Sequence, residues 1–317
     1  MKTDLKSSSI GVCILAYSRV KHLKKTIKKL LQFIGKKDKI YIFCDNAPDQ
    51  IDKIKSKEIQ QVKLYLSNLD KNKFKVFIRK KNIGIKKNWS LANDYMFSKF
   101  RKSICLEDDI LIKKDFLPFM KFYLNKYEKN DKVMNITGFG TDINLPKNYK
   151  YDCFLSRRSM SWGQGTWKNS WQKYKMINKD HLKILKNKNK KKLLISAGQD
   201  NLRTLILDYF NLSDSIQVWW IWTLVYNNGL SINPTRSLVN NIGFDGSGFH
   251  TKKNHFIPKI KLGNIRKSRM LKLIYLKSLD EIFIQQFKIK KLTYFLLNYL
   301  PLELNKFLFK LKKFLLN

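Results

Sequence analysis

The stretch SICLEDDIL, residues 103–111, joins a short apolar run to three consecutive acids, Glu107, Asp108 and Asp109. A short apolar run bounded by polar residues is typical of a buried β-strand. Three adjacent carboxylates repel one another and are costly to leave unpaired beside a core. The stretch therefore predicts a strand that ends where its acids meet a partner.

Three similar runs precede this stretch, and together they predict the fold class. The runs are IGVCILAY (10–17), KIYIFCD (39–45) and KFKVFIR (73–79). Amphipathic stretches with a helical period alternate with the strands, at residues 22–33, 54–69 and 85–100. Alternating strands and helices predict an α/β fold with a mostly parallel sheet covered by helices on both faces. Ligands of such a sheet gather at the carboxyl ends of its strands.

Composition bounds the class of protein. The chain has 317 residues and 44% hydrophobic residues, which is enough for one large core and excludes a disordered chain. Its net charge of +40 leaves nucleic acid, anionic lipid and phosphorylated substrates open as partners. The four cysteines lie in apolar contexts without zinc-site spacing, so we expect buried thiols in a reducing compartment. We also expect no secretory signal and no bilayer span.

Polar motifs follow all four predicted strands. They are Ser18-Arg19, Asp45-Asn46, Asn82-Ile83-Gly84 and the acidic triplet. Because the carboxyl ends of parallel strands meet at one edge of the sheet, the four motifs predict a ligand site there.

The acidic triplet suits a hard divalent cation, which prefers carboxylate and phosphate oxygens. Alternation along the strand would direct Glu107 and Asp109 to one side and Asp108 to the other. The open alternative is that these acids cap a helix that begins near Lys113, where anions favour the positive end of the helix dipole.

Four segments in this order and at these intervals resemble a known family. They are IGVCILAYSRVKHLKKTIKKLL, IYIFCDN, NIGIKKNWSLA and CLEDDIL. The set resembles nucleotide-sugar-dependent glycosyltransferases of the GT-A fold, and in particular bacterial sugar transferases related to the N-acetylglucosaminyltransferase I type. The resemblance covers roughly residues 8–255, with a nucleotide-binding half at 8–110 and an acceptor-side half at 111–255.

The resemblance implies roles for the strand-end residues. Arg19 and Asp45 match positions that hold the nucleotide base and ribose, and Glu107 and Asp108 match contacts to the donor sugar and ribose. Asp109 matches the direct ligand of the metal, Mn²⁺ or Mg²⁺. Taken singly, Arg19 could be a surface cation that ends a strand, and Asp45 a turn former.

Residues 227–250 resemble the segment that closes over the donor. Gly243 and Gly246 permit the close backbone approach that a phosphate-wrapping loop needs, and His250 is a candidate donor-site residue. A glycine-rich turn between two strands and a structural histidine are the open alternatives.

The segment SWGQGTW, residues 161–167, resembles the acceptor-side loop of these transferases. Trp162 and Trp167 could stack on sugar rings and donate hydrogen bonds to hydroxyls, or they could be core residues.

A direct displacement needs a base for the acceptor hydroxyl, a role that contributes ~10²–10⁴-fold to the rate. By the resemblance, Asp214 is the candidate catalytic base. The chain departs from the family pattern because Ile216 replaces the expected Trp and Ser215 occupies a position that can be acidic. Asp200 and Asp245 are therefore competing candidates.

Residues 256–317 are predicted to form a basic helical extension. Near the C-terminus, one helical face carries the apolar residues Leu304, Phe307, Leu308, Leu311, Phe314 and Leu315. Such a face could rest on an anionic bilayer, with ~1 kcal/mol from each nearby Lys, or pack against the catalytic domain.

The sequence thus favours a metal-dependent transferase that moves a sugar from a nucleoside-diphosphate sugar to a hydroxyl of a glycan or glycolipid. We expect inversion, a role in cell-surface polysaccharide synthesis and a cytoplasmic location, peripheral on the inner membrane. Two alternatives stay open: a nucleic-acid-binding protein that uses the basic surface, and a metal-dependent nucleotidyltransferase. No nucleic acid is expected under the first hypothesis, because the acids at a strand end would repel phosphates.

Overall fold

A computed structural model of the protein describes residues 10–246, 262–265 and 273–315. Within these residues, short strands alternate with helices over the first half of the chain. The strands are β1 Ile10–Ala16, β2 Ile40–Cys44, β3 Phe74–Ile78, β4 Lys102–Glu107, β5 Ile110–Ile112, β6 Val133–Thr137, β7 Cys153–Ser156, β8 Gln164–Trp167, β9 Leu230–Pro234 and β10 Val239–Asn241.

The helices cover both faces of the sheet and form most of the second half. They are α1 Val20–Leu31, α2 Lys53–Ser67, α3 Gly84–Lys99, α4 Phe116–Lys126, α5 Lys168–Met176, α6 His181–Leu185, α7 Lys188–Ile195, α8 Asp200–Tyr209, α9 Ile216–Tyr226, α10 Lys277–Gln285, α11 Lys291–Tyr299 and α12 Leu302–Leu315.

Eight strands form one sheet in the order β3-β2-β1-β4-β8-β6-β9-β7. The first four strands in this order are parallel, as are β6 and β9, whereas β8 and β7 run antiparallel to their neighbours. β5 and β10 pair separately as an antiparallel ribbon. The predicted α/β class, a GT-A type mostly parallel sheet with helices, is confirmed.

Burial on both faces explains why the central strands are continuously apolar. In β1, Ile14 packs into the core beneath α1, α2 and α4, while Cys13 and Leu15 pack into the core beneath α3, α5 and α9. A strand that is buried on two sides has no face toward solvent, so its sequence shows no alternation of apolar and polar residues. The tryptophan-rich run in α9 is buried in the second core, as its composition predicts.

The structure excludes the alternative that the acidic triplet caps a helix. Residues 110–112 pair with β10, so α4 begins at Phe116 and Asp115 occupies its N-cap position. Residues 186–192 form a lysine-rich stretch that follows α6. They are largely exposed but mostly helical, because Asn187 caps α7 by accepting a hydrogen bond from the Lys190 N–H.

The described C-terminal helices lie against the rest of the fold. In α10, Leu279 and Phe283 pack on Ile143 and Phe154. The buried Asp280 carboxylate accepts hydrogen bonds from the Ser156 hydroxyl (2.5 Å), Arg157 Nε (2.6 Å) and the Tyr275 hydroxyl (2.6 Å). In the described parts of the chain, every helix is too short or too polar to cross a bilayer.

Candidate active site

A cleft of about 430 Å³ lies at the carboxyl ends of β1, β2 and β4. It is the place where the polar motifs of the first half meet, as the strand order requires. Eight of the predicted site residues line it: Arg19, Asp45, Glu107, Asp108, Asp109, Trp162, Asp214 and Gly243.

The acidic triplet forms a turn between β4 and β5 rather than a continuation of the strand. Asp108 and Asp109 are the turn residues, and both carboxylates contact the same guanidinium. Arg19 Nη2 lies 2.5 Å from Asp108 Oδ1 and 2.8 Å from Asp109 Oδ2. The expected alternation of the side chains is therefore wrong for this pair, because a turn does not preserve the two-residue period of a strand.

Three neighbouring elements hold this turn by its backbone and side chain. The Thr26 hydroxyl of α1 donates to the Asp108 carbonyl (2.8 Å), and the Ile242 N–H donates to the Asp109 carbonyl (3.0 Å). The Tyr17 N–H donates to Asp108 Oδ2 (3.4 Å). The acids are thus fixed in place rather than free to move into solvent.

The local electrostatics leave the turn short of positive charge. Burial, followed by repulsion from Asp109 and Asp108, raises the pKa of Glu107 to about 8, although Arg19 lowers it. Burial also raises the pKa of Asp108 to about 6 against the opposing effect of Arg19. One guanidinium therefore does not compensate three carboxylates, and an additional cation would stabilise their charged forms.

The residues present fit a divalent cation that is bound together with a ligand. Oδ1 of Asp109 is buried and accepts no hydrogen bond from any residue that the structure describes, so it is available as a hard oxygen ligand. Among the described residues, no three His, Cys, Asp or Glu side chains gather into a metal cluster. A cation at Asp109 would therefore take most of its ligands from water or from a bound diphosphate.

Asp45 is buried at the end of β2, where it organises the loop before α3. Its Oδ1 accepts hydrogen bonds from the N–H groups of Asn46 (2.9 Å) and Ile83 (3.0 Å), and its Oδ2 lies 3.4 Å from Asn82 Nδ2. Asp45 therefore connects two strand-end motifs that are separate in the sequence, and it also lines the cleft.

Lys86, in the first turn of α3, connects the cleft to a buried carboxylate. Its Nζ pairs with Asp208, which is fully buried, and lies 3.2 Å from Asp214 Oδ1. Asp208 Oδ2 also lies 2.9 Å from His181 Nε2 and accepts from Trp219 Nε1 (2.9 Å). Burial alone would raise the pKa of Asp208, but hydrogen bonds from His181, Lys86 and Trp219 hold it below its usual value.

The three candidate bases occupy different surroundings. Asp214 lines the cleft with its side chain 41% exposed. Asp200 is bound through both carboxylate oxygens to Arg158, at 2.8 and 2.7 Å, and does not line the cleft. Asp245 lies 3.1 Å from His22 Nε2. The geometry therefore favours Asp214 over Asp200 as a base that reaches a substrate in the cleft.

Gly243 approaches the acidic turn more closely than any other residue type could. A Cβ at this position would overlap the Asp109 carboxylate and the Arg19 guanidinium. Gly246 has φ +88°, a conformation that favours glycine. His250, predicted as a donor-site residue, lies outside the described residues.

The two predicted acceptor-side tryptophans are placed differently. Trp162 lines the cleft, with its ring 5.5 Å from Phe244 and 4.4 Å from Phe139 between ring centroids. Trp167 is buried in the core at the end of β4 that lies away from the cleft, where its backbone is the register partner of Lys102. Its Nε1 donates a hydrogen bond to the Leu124 carbonyl (2.9 Å). This placement disagrees with an acceptor-side position for Trp167.

The sequence did not point to Lys86, Asp208 or Phe244 as site residues. Lys86 follows Gly84 in the NIGIKKNW motif, so its proximity to a strand end was a usable signal. Asp208 gave no such signal, because it lies far from every predicted strand and reaches the cleft region by the packing of α8 and α9.

The comparisons with known proteins give one family match. The model of the GNT-I family matches residues 1–144, the part that carries Arg19, Asp45 and the acidic turn. A comparison with curated proteins finds no significant match.

Three similar solved structures have low identity and TM-scores below 0.5. S. aureus TarS (1–349) is 10% identical with a TM-score of 0.40, over 75% of this chain and 61% of that solved chain. GalNAc-T7, solved with UDP, GalNAc and Mn²⁺, is 11% identical with a TM-score of 0.37, over 52% of this chain and 36% of the GalNAc-T7 chain. The mannosyltransferase PcManGT from Pyrobaculum calidifontis, solved with GDP-Man and Mn²⁺, is 7% identical with a TM-score of 0.34, over 53% of this chain and 49% of the PcManGT chain. The chain thus spans about a third to three fifths of the length of these solved chains.

The family match supports the predicted class of protein, a glycosyltransferase of the GT-A fold. The mostly parallel sheet with helices on both faces is the architecture expected for that fold.

Proposed function

We propose that the protein transfers a sugar from a nucleoside-diphosphate sugar to a hydroxyl of a glycan or glycolipid, with a divalent cation, Mn²⁺ or Mg²⁺, bound at Asp109. The observation that carries this proposal is the acidic turn at the end of β4, where Asp109 keeps a buried oxygen without a described partner. A diphosphate and its cation would supply the charge and the ligands that this turn lacks.

The donor would lie in the cleft with its nucleoside toward β1 and β2. Arg19 and Asp45 would bind the base and ribose, and Glu107 and Asp108 would bind the ribose and donor sugar. A cation held by Asp109 supplies Lewis-acid stabilisation of the negative charge that develops on the leaving diphosphate. Gly243 would bring its backbone close to the same phosphates, and Gly246 and His250 would extend this donor-binding segment.

The acceptor would enter beside Asp214 and Trp162. Asp214 would accept the proton of the attacking hydroxyl, and Lys86 would hold its carboxylate in position through the 3.2 Å contact. Trp162 offers an apolar face to a sugar ring. One displacement at the anomeric carbon inverts its configuration, so the product should have the anomeric configuration opposite to the donor.

The experiment is to incubate the protein with a panel of nucleotide sugars and Mn²⁺ and to measure release of the nucleoside diphosphate. Asp109→Ala should abolish release while circular dichroism shows an unchanged fold. Asp131→Asn, at an exposed acid outside the cleft lining, is the matched control and should leave release unchanged. Full activity of Asp109→Ala would contradict the cation assignment.

The same assay separates this proposal from a nucleotidyltransferase, which would consume a nucleoside triphosphate and release pyrophosphate. We extend the proposal to cell-surface polysaccharide synthesis at the cytoplasmic face of the inner membrane. The support for this extension is the basic, amphipathic sequence of residues 301–317.

A further inference from the structure

Two consecutive C-terminal helices expose large apolar side chains. Single exposed apolar residues are ordinary on a protein surface, whereas a contiguous group indicates an interaction site. The Phe295 and Tyr299 rings of α11 lie 5.0 Å apart, so they form one patch. The exposed set, termed here the C-terminal apolar face, is Leu292 (70% exposed), Phe295 (55%), Tyr299 (68%), Leu304 (43%) and Phe307 (59%).

Packing on the domain uses the opposite side of α12. Asn305 is buried, and Leu302 and Phe309 pack on the core beneath α9. At about 100° per residue, Leu304 and Phe307 point roughly 180° away from this docked side. Leu304 and Phe307, two residues of the apolar face that the sequence predicts, thus point outward, while a different set of residues attaches the helix.

Contacts with the rest of the fold also hold α11 in place, so the residues of the C-terminal apolar face on this helix point outward. Leu297 is buried, Tyr294 packs against the same core, and Lys191 Nζ donates to the Asn298 carbonyl (3.2 Å). Leu292, Phe295 and Tyr299 lie on the other side of the helix. Exposure of the face therefore follows from how the two helices are attached.

The charge of the sequence segment that carries this face indicates the occupant. Residues 288–313 contain seven lysines and one acid, Glu303. Apolar and aromatic side chains beside lysines are the composition of helices that lie in the interface of an anionic bilayer. A second copy of the chain, paired by a two-fold axis, would bring these lysines against the same lysines. Nucleic acid would use the charge and the rings but would leave Leu292 and Leu304 exposed.

We propose that α11 and α12 form a docking surface for an anionic lipid bilayer. Phe295, Tyr299 and Phe307 enter the headgroup region, and the flanking lysines contact lipid phosphates. The surface shares no residue with the cleft, so the inference does not rest on the proposed transferase activity.

The test is flotation of the full chain with phosphatidylcholine vesicles that either contain or lack phosphatidylglycerol. Wild type should bind the anionic vesicles at least tenfold more tightly than the neutral ones. The combined variant Phe295→Ser, Tyr299→Ser and Phe307→Ser should lose at least tenfold of that binding. Met176→Ser, at an 85% exposed apolar residue of α5, is the matched control and should bind like wild type. Unchanged circular dichroism and nucleotide-sugar turnover in solution would show that the variant is folded.

Four outcomes would overturn the proposal. Wild type could fail to bind anionic vesicles, or the combined variant could bind as well as wild type. Sedimentation without lipid could show a wild-type dimer that the combined variant lacks, which would assign the face to a second copy. Finally, wild type could bind oligonucleotides through this face but not vesicles, which would assign it to nucleic acid.

Discussion

The Arg19 guanidinium lies 2.8 Å from Oδ2 of Asp109, the carboxylate that is proposed to hold the cation. The same nitrogen lies 2.5 Å from Asp108, so a single side chain neutralises part of the acidic turn from within the protein. A divalent cation at Asp109 and the Arg19 guanidinium therefore act on the same buried charge. The relationship predicts that removal of one increases the dependence of the fold on the other.

Arg19→Ala should lower the melting temperature, because loss of one partner of a buried ion pair costs about 3–5 kcal/mol. Mn²⁺ should then raise the melting temperature of the variant by more than it raises that of wild type, since the cation replaces the missing charge. The measurement is a thermal melt with and without Mn²⁺. Arg157→Ala removes the partner of the buried Asp280 far from the cleft and is the control, which Mn²⁺ should not rescue. Equal Mn²⁺ effects in both variants would contradict the relationship.

Gly243→Ala should reduce turnover by about a hundredfold, because the added methyl group displaces the Asp109 carboxylate and Arg19 from their positions. The measurement is the steady-state rate of nucleoside diphosphate release. In the control Gly35→Ala, the methyl group meets the exposed, flexible Asp38 carboxylate, and activity should be unchanged. Wild-type rates in Gly243→Ala would show that this contact does not matter for catalysis.

Lys86→Met should lower kcat by about tenfold with little change in KM for the donor, because the Asp214 carboxylate loses the cation that positions it. Lys86→Arg should restore part of kcat, which a purely structural lesion would not. Lys175→Met, which breaks the exposed pair with Asp94 outside the cleft, is the control and should keep the wild-type kcat. The role of Lys86 would be refuted by a variant that changes KM and leaves kcat intact.

Glu107 makes the stability of the metal-free protein depend on pH. Folding raises its pKa from 4.5 to about 8, so the native state holds a proton that the unfolded state has lost between these values. The free energy of unfolding should therefore fall as pH rises through this window, by at most about 1.4 kcal/mol per pH unit from this group. The slope should be smaller in practice, because Glu107 is partly exposed to water in the cleft.

Urea unfolding of wild type and Glu107→Gln at about pH 5 and about pH 8 measures this effect, because the two values bracket the window. The Gln variant should lose less stability between them, since its side chain does not titrate. Identical losses in both proteins would show that Glu107 is not the group responsible.

Much of the nucleotide half follows from local sequence patterns. The runs that become β1 to β4 carry continuous apolar residues, and the motifs after them meet because parallel strands end at one edge. The meeting of Arg19, Asp45 and the acidic triplet in one site was predictable in this way. The turn at Asp108 and Asp109 was not, because it depends on the pairing of β5 with β10, more than a hundred residues away in the chain.

The contacts of the second half were less predictable from the sequence, because they depend on tertiary packing. Trp162 and Trp167 belong to one short motif, yet one lines the cleft and the other fills the core, since β8 runs antiparallel beside β4 and carries Trp167 to the far end of the sheet. In α12, the apolar face was predictable, but the outward direction of Leu304 and Phe307 depends on which side of the helix packs on the domain.

The central claim is that a cation at Asp109 binds the diphosphate of the donor. Isothermal titration calorimetry of wild type with a panel of nucleoside diphosphates, with and without Mn²⁺, tests it most directly. At least one nucleoside diphosphate should bind with heat that requires Mn²⁺ and disappears in Asp109→Ala but not in Asp131→Asn. Absence of heat for every nucleoside diphosphate, or binding that is the same without Mn²⁺ and in Asp109→Ala, would contradict the claim.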